Sequence, residues 1–292
     1  MISIWIQAAR PKTLVSSFFP ALAGILLSYK LGLFNGLVAA ATLVCAISLQ
    51  ILTNLSNDYF DFKKGADLNR FGPARVTTLG LVTPSQIKQA ILINIFVCLL
   101  LGVYLVLHGG FPILVIGILS VAFAVLYTAG PFPLAYKGLG DIFAFVFFGP
   151  VAASGSFYLQ SGVWSDSALA AGILYGFLAT CLLNANNLRD YEQDKAISKK
   201  TLVVRYGEKF GRSLYTGCLI GSLLLIPMFC FLGLLPKTTL ITLLVGPLLK
   251  PILTDVWNKS GKDIIPLLIG TAKFYVIYGI LMSASLVLNL FL

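Results

Sequence analysis

The sequence has little charge and one histidine. Charged residues make up 11 % of its 292 positions, less than half of the roughly 25 % found in soluble domains. His108 stands alone before two glycines, and the five cysteines form no CxxC pair or Cys/His cluster. We interpret the cysteines as packing residues and His108 as interfacial, so neither a Cys/His metal centre nor a histidine-based catalytic site is indicated. The chain is instead 58 % hydrophobic, with a mean hydropathy of +0.91.

Long apolar runs repeat along the chain. Each is roughly 18–23 residues long, enough to cross a hydrocarbon core of about 30 Å as a helix. We therefore predict an all-α polytopic membrane protein with a single integral-membrane domain over residues 1–292 and no cleavable signal peptide. The eighth run is short and is interrupted by Gly246, Pro247 and Pro251. Nine spans fit best, at about 14–31, 36–56, 86–107, 111–129, 139–159, 167–187, 213–234, 238–254 and 264–290.

The basic residues predict the orientation of the chain. If the N-terminus is cytoplasmic, all but three of the 21 lysines and arginines fall on the cytoplasmic side, as the positive-inside rule requires. The exceptions are Lys30 and Lys237 outside, and Lys273 within the last span. A basic face suits anionic headgroups and phosphorylated substrates. Nucleic acid is a poor alternative partner because the basic loops are tied to membrane spans.

The few acidic residues are concentrated in two short windows. "NDYFDFKKGAD" (57–67) and "NNLRDYEQD" (186–194) hold six of the eleven acids in the sequence. A bare aspartate at the centre of a span costs roughly 2.5–3.5 kcal/mol. The acids must therefore lie near cytoplasmic span ends, or be paired, or hold a cation. They are Asp58, Asp61, Asp67, Asp190, Glu192 and Asp194.

The spacing within each window favours a cation. Asn57 and Asp61 are four residues apart and share a helix face. Mg²⁺ prefers such oxygen ligands and takes its remaining ligands from water and substrate phosphates. The surrounding lysines and arginines would then hold a diphosphate, whereas the alternative is a pair of ordinary loops whose charges meet water. The second window repeats the pattern on one predicted face, at i, i+3 and i+7: Asn187, Asp190 and Asp194.

These windows resemble the motifs of the UbiA superfamily of intramembrane aromatic prenyltransferases. The family's second motif, DxxxD, is matched by Asp190 and Asp194. Its first, NDxxDxxxD, is matched through Asp61 and then departs from the pattern, because Gly65 occupies the last acidic position and the next acid is Asp67. This longer form is similar to that of the 1,4-dihydroxy-2-naphthoate polyprenyltransferase branch. Asp67, beyond Gly65, is expected to reach back from a loop.

Four further stretches resemble the same branch, and the resemblance runs from residue 9 to about residue 212. In the last of them, Ser198 precedes Lys199 where the family usually has glycine. The stretches are "ARPKTL" (9–14), "RFGPARVTTLGLVTPSQIK" (70–88), "YTAGPFPLAYKGLGDIFAFVFFGPVAASGSFY" (127–158) and "NNLRDYEQDKAISKKTLVVRYG" (186–207).

The resemblance implies nine helices around a central cavity, with both motifs near the cytoplasmic surface. It implies transfer of a polyprenyl chain from its diphosphate to 1,4-dihydroxy-2-naphthoate, with loss of the carboxyl group, giving demethylmenaquinone for menaquinone biosynthesis. The partners are then these two substrates and the lipid bilayer, and the cofactor is Mg²⁺, with Mn²⁺ as the alternative. In a bacterium the protein would lie in the inner or plasma membrane, with its active site facing the cytoplasm.

The resemblance and the chemistry together give four sets of candidate residues. The metal set is Asn57, Asp58, Asp61, Asp67, Asn187, Asp190 and Asp194; Asp58 can point elsewhere than Asn57, and Asn186 competes with Asn187. The catalytic acids are Asp61, Asp67, Asp190 and Asp194. The diphosphate set is Lys12, Lys64, Arg75, Lys137 and Lys199. The substrate set is Tyr127, Tyr136 and Phe143, whose rings would stabilise a carbocation, and Lys273, for which we favour snorkelling or an internal ion pair over contact with the acceptor's carboxylate.

Two other functions are alternatives for a polytopic helical chain with acidic span ends. A membrane transporter would place its acids near mid-span or at broken helices, whereas here they fall at span ends beside asparagines and basic loops. A related prenyltransferase could take another aromatic acceptor, such as 4-hydroxybenzoate or homogentisate. The six-residue step from Asp61 to Asp67 argues against the hydroxybenzoate branch.

Overall fold

The computed structural model describes residues 2–32, 34–65, 72 and 75–292. Within these ranges the chain is helical and has no β-strand, which confirms the all-α class. The helices are α1 (Ile2–Ala9), α2 (Pro11–Tyr29), α3 (Gly36–Lys63), α4 (Pro84–Leu126), α5 (Gly140–Val146), α6 (Ala152–Ser161), α7 (Asp166–Arg189), α8 (Tyr191–Ala196), α9 (Leu202–Tyr206), α10 (Glu208–Phe231), α11 (Leu249–Asn258) and α12 (Ile265–Leu288).

Eight helical segments of the described chain are long and apolar enough to cross a membrane. One of them, α4, has 43 residues, which at 1.5 Å per residue span about 65 Å, twice a hydrocarbon core of about 30 Å. Its backbone leaves the helical region at Gly110, with φ 66° and ψ −154°, a conformation that glycine adopts readily because it has no Cβ. α4 is therefore two consecutive spans, and the predicted count of about nine is confirmed, with bounds that differ by a few residues.

Two spans are irregular where the sequence contains proline. The eighth begins as a 3₁₀ segment, Lys237–Leu248, and becomes α-helical only at α11; Pro247 lies inside the first part and has no N–H to donate. Between α5 and α6 the chain forms a π-helical turn, Phe147–Val151. A Cβ on Gly149 would lie 2.5 Å from the carbonyl oxygen of Gly172, so this turn lies directly against α7.

α7 is the central helix. It contacts α2, α5, α10 and α12, and its side chains Leu174, Tyr175 and Leu178 are almost completely buried. The ring of Tyr175 stacks on that of Tyr275 from α12, with centroids 5.9 Å apart. Small residues on α7 let the neighbouring backbones approach, as is common between membrane helices. This packing fixes the end of α7, where the second acidic window begins.

Candidate active site

A cavity of about 670 Å³ lies between α2, α3, α4, α5–α6 and α7. One face of α3 lines it from Thr42 to Asp61, which is about 28 Å at a rise of 1.5 Å per residue. This face is polar toward the C-terminal end of α3 and mainly apolar toward the N-terminal end. It consists of Thr42, Cys45, Ala46, Leu49, Gln50, Thr53, Asn54, Asn57, Asp58 and Asp61.

The first acidic window places three oxygen-bearing side chains in the cavity wall. The Thr128 hydroxyl donates to Asn57 Oδ1 at 3.0 Å. Asp58 is 1 % exposed and accepts from the backbone N–H of Thr77 at 3.4 Å. Asp58 thus shares the cavity with Asn57, although the two are adjacent in sequence.

Asp61 is held by a cation and a phenol. Arg75 donates from Nη2 to Asp61 Oδ2 at 2.7 Å, and the Tyr136 hydroxyl donates to Asp61 Oδ1 at 3.1 Å. Both carboxylate oxygens are therefore hydrogen-bonded, and the charge of Asp61 is compensated although the residue is 6 % exposed. Asp67, predicted as a fourth member of this group, lies outside the described residues.

The second acidic window is divided between two helices. α7 ends at Arg189, and Asp190 joins it to the short helix α8. Asn187 and Asp190 line the cavity, as predicted. Asp194 lies on α8. Its Oδ1 is 3.1 Å from Nζ of Lys199, which follows that helix in sequence. The single continuous helix face predicted for these three residues is thus interrupted, because the backbone of Asp190 departs from α-helical geometry, with φ −92° and ψ 10°.

Arg189 is a site residue for which the sequence predicts only a position on the cytoplasmic side of the membrane. It is 2 % exposed, lines the cavity and donates to both oxygens of Asp190, from Nε at 2.7 Å and from Nη2 at 2.6 Å. A Cβ on Gly72 would lie 2.6 Å from the guanidinium carbon, so Gly72 lies directly against this arginine. The signal available in the sequence was an arginine directly before the DxxxD motif.

The predicted diphosphate-binding cations separate into two groups. Lys12, Arg75 and Lys199 line the cavity. Lys64 and Lys137 are not among the described residues that line the cavity. Lys64 donates to the carbonyl oxygen of Thr128 at 2.6 Å, and burial of its ammonium group lowers its pKa while Asp61 opposes that shift. Lys137 Nζ lies 4.4 Å from the centroid of the ring of Phe132.

The predicted substrate-binding residues also divide. Tyr127 and Phe143 line the cavity, and the ring of Phe143 lies 4.5 Å from that of Phe123 and 6.0 Å from that of Phe147. Tyr136 contributes through its bond to Asp61. Lys273 is exposed on α12 and is not among the described wall residues, so the structure does not bring it to the site.

A polar patch deeper in the cavity was not anticipated. Asn54 donates to Thr13 Oγ1 at 2.9 Å and to the Ala9 carbonyl at 2.8 Å, and Gln50 donates to the same Thr13 oxygen at 3.3 Å. Gln50 Oε1 is buried and has no hydrogen-bond partner among the described residues. Thr13, Gln50 and Asn54 all belong to the cavity wall, so this patch adds polar groups to the wall on the N-terminal side of the acidic end of α3.

The donor set suits a divalent cation. Within the described residues, no three His, Cys, Asp or Glu side chains cluster as a closed metal site. Mg²⁺ does not require one, because it commonly binds through one or two carboxylates together with substrate phosphates and water. Carboxylate and amide oxygens from the ends of α3 and α7 face one cavity, which is the type of ligand Mg²⁺ prefers.

Together, the fold and the site define a multi-span helical membrane protein with an apolar cavity that carries asparagine and aspartate at two helix ends. The model of the UbiA prenyltransferase family matches residues 17–277, and the chain belongs to this family. It is 39 % identical over 252 residues to the 1,4-dihydroxy-2-naphthoate octaprenyltransferase of Escherichia coli (strain K12), covering 84 % of this chain and 82 % of that protein.

Solved structures share the fold. The apo structure of a UbiA homologue from Aeropyrum pernix K1 superposes with a TM-score of 0.74 at 14 % identity, covering 96 % of this chain and 98 % of that one. A UbiA homologue from Archaeoglobus fulgidus bound to GPP and Mg²⁺ superposes with a TM-score of 0.63 at 15 % identity, covering 96 % and 99 %.

Proposed function

We propose that this protein transfers a polyprenyl chain from polyprenyl diphosphate to 1,4-dihydroxy-2-naphthoate, with decarboxylation, to give demethylmenaquinone in its reduced, quinol form for menaquinone biosynthesis. One observation carries the proposal. The Asn/Asp ends of α3 and α7 meet at a cavity whose remaining wall is mainly apolar, apart from the polar patch at Gln50 and Asn54. A substrate with a charged diphosphate head and a long hydrocarbon tail matches this division. The name of the relative from Escherichia coli supports the acceptor.

Mg²⁺ is the proposed cofactor, with Mn²⁺ as a substitute. The homologue from Archaeoglobus fulgidus bound to GPP and Mg²⁺ supports the choice. Asn57, Asp58, Asp61, Asn187 and Asp190 would hold the metal, and we retain Asp67 and Asp194 as members of the set. When bound, Mg²⁺ supplies Lewis-acid stabilisation of the departing diphosphate, worth several kcal/mol.

The basic side chains of the wall take the diphosphate. Arg75, Lys199 and Lys12 lie in the cavity wall, and Arg189 joins them. Fixed cations stabilise negative charge that develops on the leaving oxygens at no cost of reorganisation. We assign Lys64 to a positioning role. Its ammonium group lies 4.4 Å from the centroid of the Tyr136 ring and would hold that ring in place. The hydroxyl of Tyr136 in turn donates to Asp61.

The aromatic wall protects the reacting carbon. Loss of diphosphate from an allylic carbon leaves a cation that water would capture. Phe143, Phe123 and Phe147 form a ring cluster at the wall that excludes water, and their faces attract a cation. Attack by the electron-rich naphthoate ring then forms the new carbon–carbon bond, and in sum the prenyl group replaces the carboxyl group, which leaves as CO₂ and a proton, while the diphosphate departs with the electron pair of the broken carbon–oxygen bond.

The orientation of the protein follows from its charge. We propose that the N-terminus and the active site face the cytoplasm, where the basic loops are favoured and water-soluble substrate parts are available. We further propose that residues 1–292 act as one integral-membrane domain.

The deciding experiment uses the purified full-length protein in nanodiscs with 1,4-dihydroxy-2-naphthoate, a polyprenyl diphosphate and Mg²⁺. Demethylmenaquinone is followed by mass spectrometry, with EDTA and Asp190→Asn as controls. Product that disappears in both controls establishes the reaction, the acceptor and the metal dependence. Product only with 4-hydroxybenzoate or homogentisate would reject the acceptor and keep the chemistry. No product with any acceptor from folded protein would reject the proposed function.

A further inference from the structure

Asp141 is a buried acid behind the cavity wall. It is the second residue of α5, is 4 % exposed and is not among the described wall residues. Its Oδ2 lies 3.5 Å from Nδ2 of Asn187, which donates to it. An ionisable side chain buried in a membrane segment is costly, and such residues usually mark a function.

The surroundings of Asp141 do not explain it as a packing residue. Asn184 lies one helical turn before Asn187 on α7 and is 0 % exposed. Among the described residues, Asp141 Oδ1 and both amide atoms of Asn184 make no hydrogen bond of good geometry, although the Asn184 amide and the N–H of Asp141 itself lie near the carboxylate. Buried polar atoms retained only for structure are nearly always fully hydrogen-bonded. The side chain that donates to Asp141 with good geometry, Asn187, is a residue of the proposed metal set.

The chemistry of that contact fixes the direction of an amide. Asparagine has a donor end, the NH₂ group, and an acceptor end, the carbonyl oxygen, whereas an ionised carboxylate only accepts. With its NH₂ group held by Asp141, Asn187 must turn its oxygen the other way. Because Asn187 also lines the cavity, that oxygen is available to the cavity, and a cation can bind the oxygen but not the NH₂ group.

We propose that Asp141 is a positioning residue that fixes the Asn187 amide with its oxygen toward the divalent cation that accompanies the diphosphate. The inference rests on the proposed function, because it assigns Asn187 to that metal. Carboxylates that orient metal ligands from behind are a general feature of metal sites, and their loss typically lowers metal affinity by about 10–100-fold. Asp141 therefore acts through Asn187.

The test measures metal binding directly. Mn²⁺ is titrated into the purified full-length protein in nanodiscs with inorganic diphosphate, and free Mn²⁺ is read by electron paramagnetic resonance. In Asp141→Asn, position 141 can donate as well as accept, so the Asn187 amide is free to turn over. We expect the Mn²⁺ affinity to fall about 10-fold, with the loss of activity mainly in the KM for Mg²⁺ rather than in kcat. Asp166→Asn, at the exposed opposite end of α7, is the matched control and should bind Mn²⁺ as the wild type does.

A swapped pair separates positioning from structural support. In the double variant Asp141→Asn/Asn187→Asp, residue 187 presents an oxygen in either orientation and the new amide at 141 donates to it. We expect the Mn²⁺ affinity to return to within about 3-fold of the wild type, since the orienting requirement is gone. Should Asp141→Asn not fold, the swapped variant decides alone.

Two results would overturn the inference. The first is that Asp141→Asn binds Mn²⁺ as tightly as the wild type. The second is that the folded double variant binds Mn²⁺ no better than Asp141→Asn or, where Asp141→Asn does not fold, far more weakly than the wild type. A wild-type protein that binds no Mn²⁺ with diphosphate would instead overturn the metal assignment of the proposed function. The two failures are therefore distinguishable.

Discussion

Arg189 and Asp190 are neighbours in sequence and form a two-point ion pair at the end of α7, with nitrogen–oxygen distances of 2.7 and 2.6 Å. The first acidic window also carries an arginine–aspartate pair, since Nη2 of Arg75 lies 2.7 Å from Oδ2 of Asp61. Each acidic helix end therefore carries its own arginine. Removing one partner of such a buried pair is destabilising, so tests of these residues are best made with conservative changes.

Arg189→Lys is expected to weaken use of the prenyl diphosphate. Lysine keeps the charge but cannot donate from two fixed nitrogens. The loss of one charged hydrogen bond, worth about 1.5–3 kcal/mol, predicts a fall of about 10–100-fold in kcat/KM for the prenyl diphosphate. Steady-state kinetics provide the measurement. Arg205→Lys is the control, because Arg205 is exposed and bonds to backbone carbonyls outside the wall; equal losses in both variants would remove Arg189 from the site.

Asp61→Asn and Asp190→Asn should each abolish most of the turnover. Either change removes a carboxylate from the proposed metal set, and several kcal/mol of metal stabilisation correspond to about 100-fold or more in kcat. The assay is demethylmenaquinone formation at saturating Mg²⁺. Asp255→Asn removes an acid that pairs with Lys259 on α11 and should retain activity. Near wild-type turnover of either cavity variant would contradict the metal assignment.

Gln50→Leu should act on the acceptor. Gln50 Oε1 is buried at the cavity without a described partner, so we expect it to bond a polar group of the aromatic ring. A buried hydrogen bond of about 1–1.5 kcal/mol predicts a rise of up to about 10-fold in the KM for 1,4-dihydroxy-2-naphthoate. The KM for the prenyl diphosphate should not change. A shift in the second KM alone would place the prenyl chain, not the acceptor, beside Gln50.

Gly117→Phe should shorten the prenyl chain that the protein accepts. Gly117 lines the cavity, and a Cβ there would meet nothing within 4 Å, so a phenyl ring can enter the space that we assign to the tail. Competition between long and short prenyl diphosphates, with products resolved by mass spectrometry, measures the preference. Gly217→Phe on α10 is the control, because Gly217 has equally open surroundings but is not among the described residues of the cavity wall. An unchanged preference in the Gly117 variant would show that the tail takes another route.

Much of this site could be predicted because its members share a helix face. Asn57 and Asp61 are four residues apart, and helical geometry alone brings them to one side of α3. Asn187 and Asp190 follow the same rule at the end of α7. The rule was wrong for Asp194, since it assumes a continuous helix and the backbone changes direction at Asp190.

Other residues were out of reach because their roles depend on neighbours distant in sequence. Arg189 carried the same signal as any basic residue near a span end, and only the packing of Gly72 and Asp190 around it shows that it is buried in the wall. Lys273 could likewise not be placed from the sequence. A lysine within a span fits snorkelling or an ion pair as well as a ligand, and the rotation of α12 leaves it exposed and outside the described cavity wall.

The sequence by itself determined the class of the protein, its spans and the two acidic helix ends, because apolar length and helical spacing are local properties of the chain. Only the tertiary structure decided which side chains share the cavity, which cations lie in its wall and that Asp141 stands behind Asn187. These depend on how α3, α5 and α7 are rotated and packed against one another, and that is set by contacts across the whole fold.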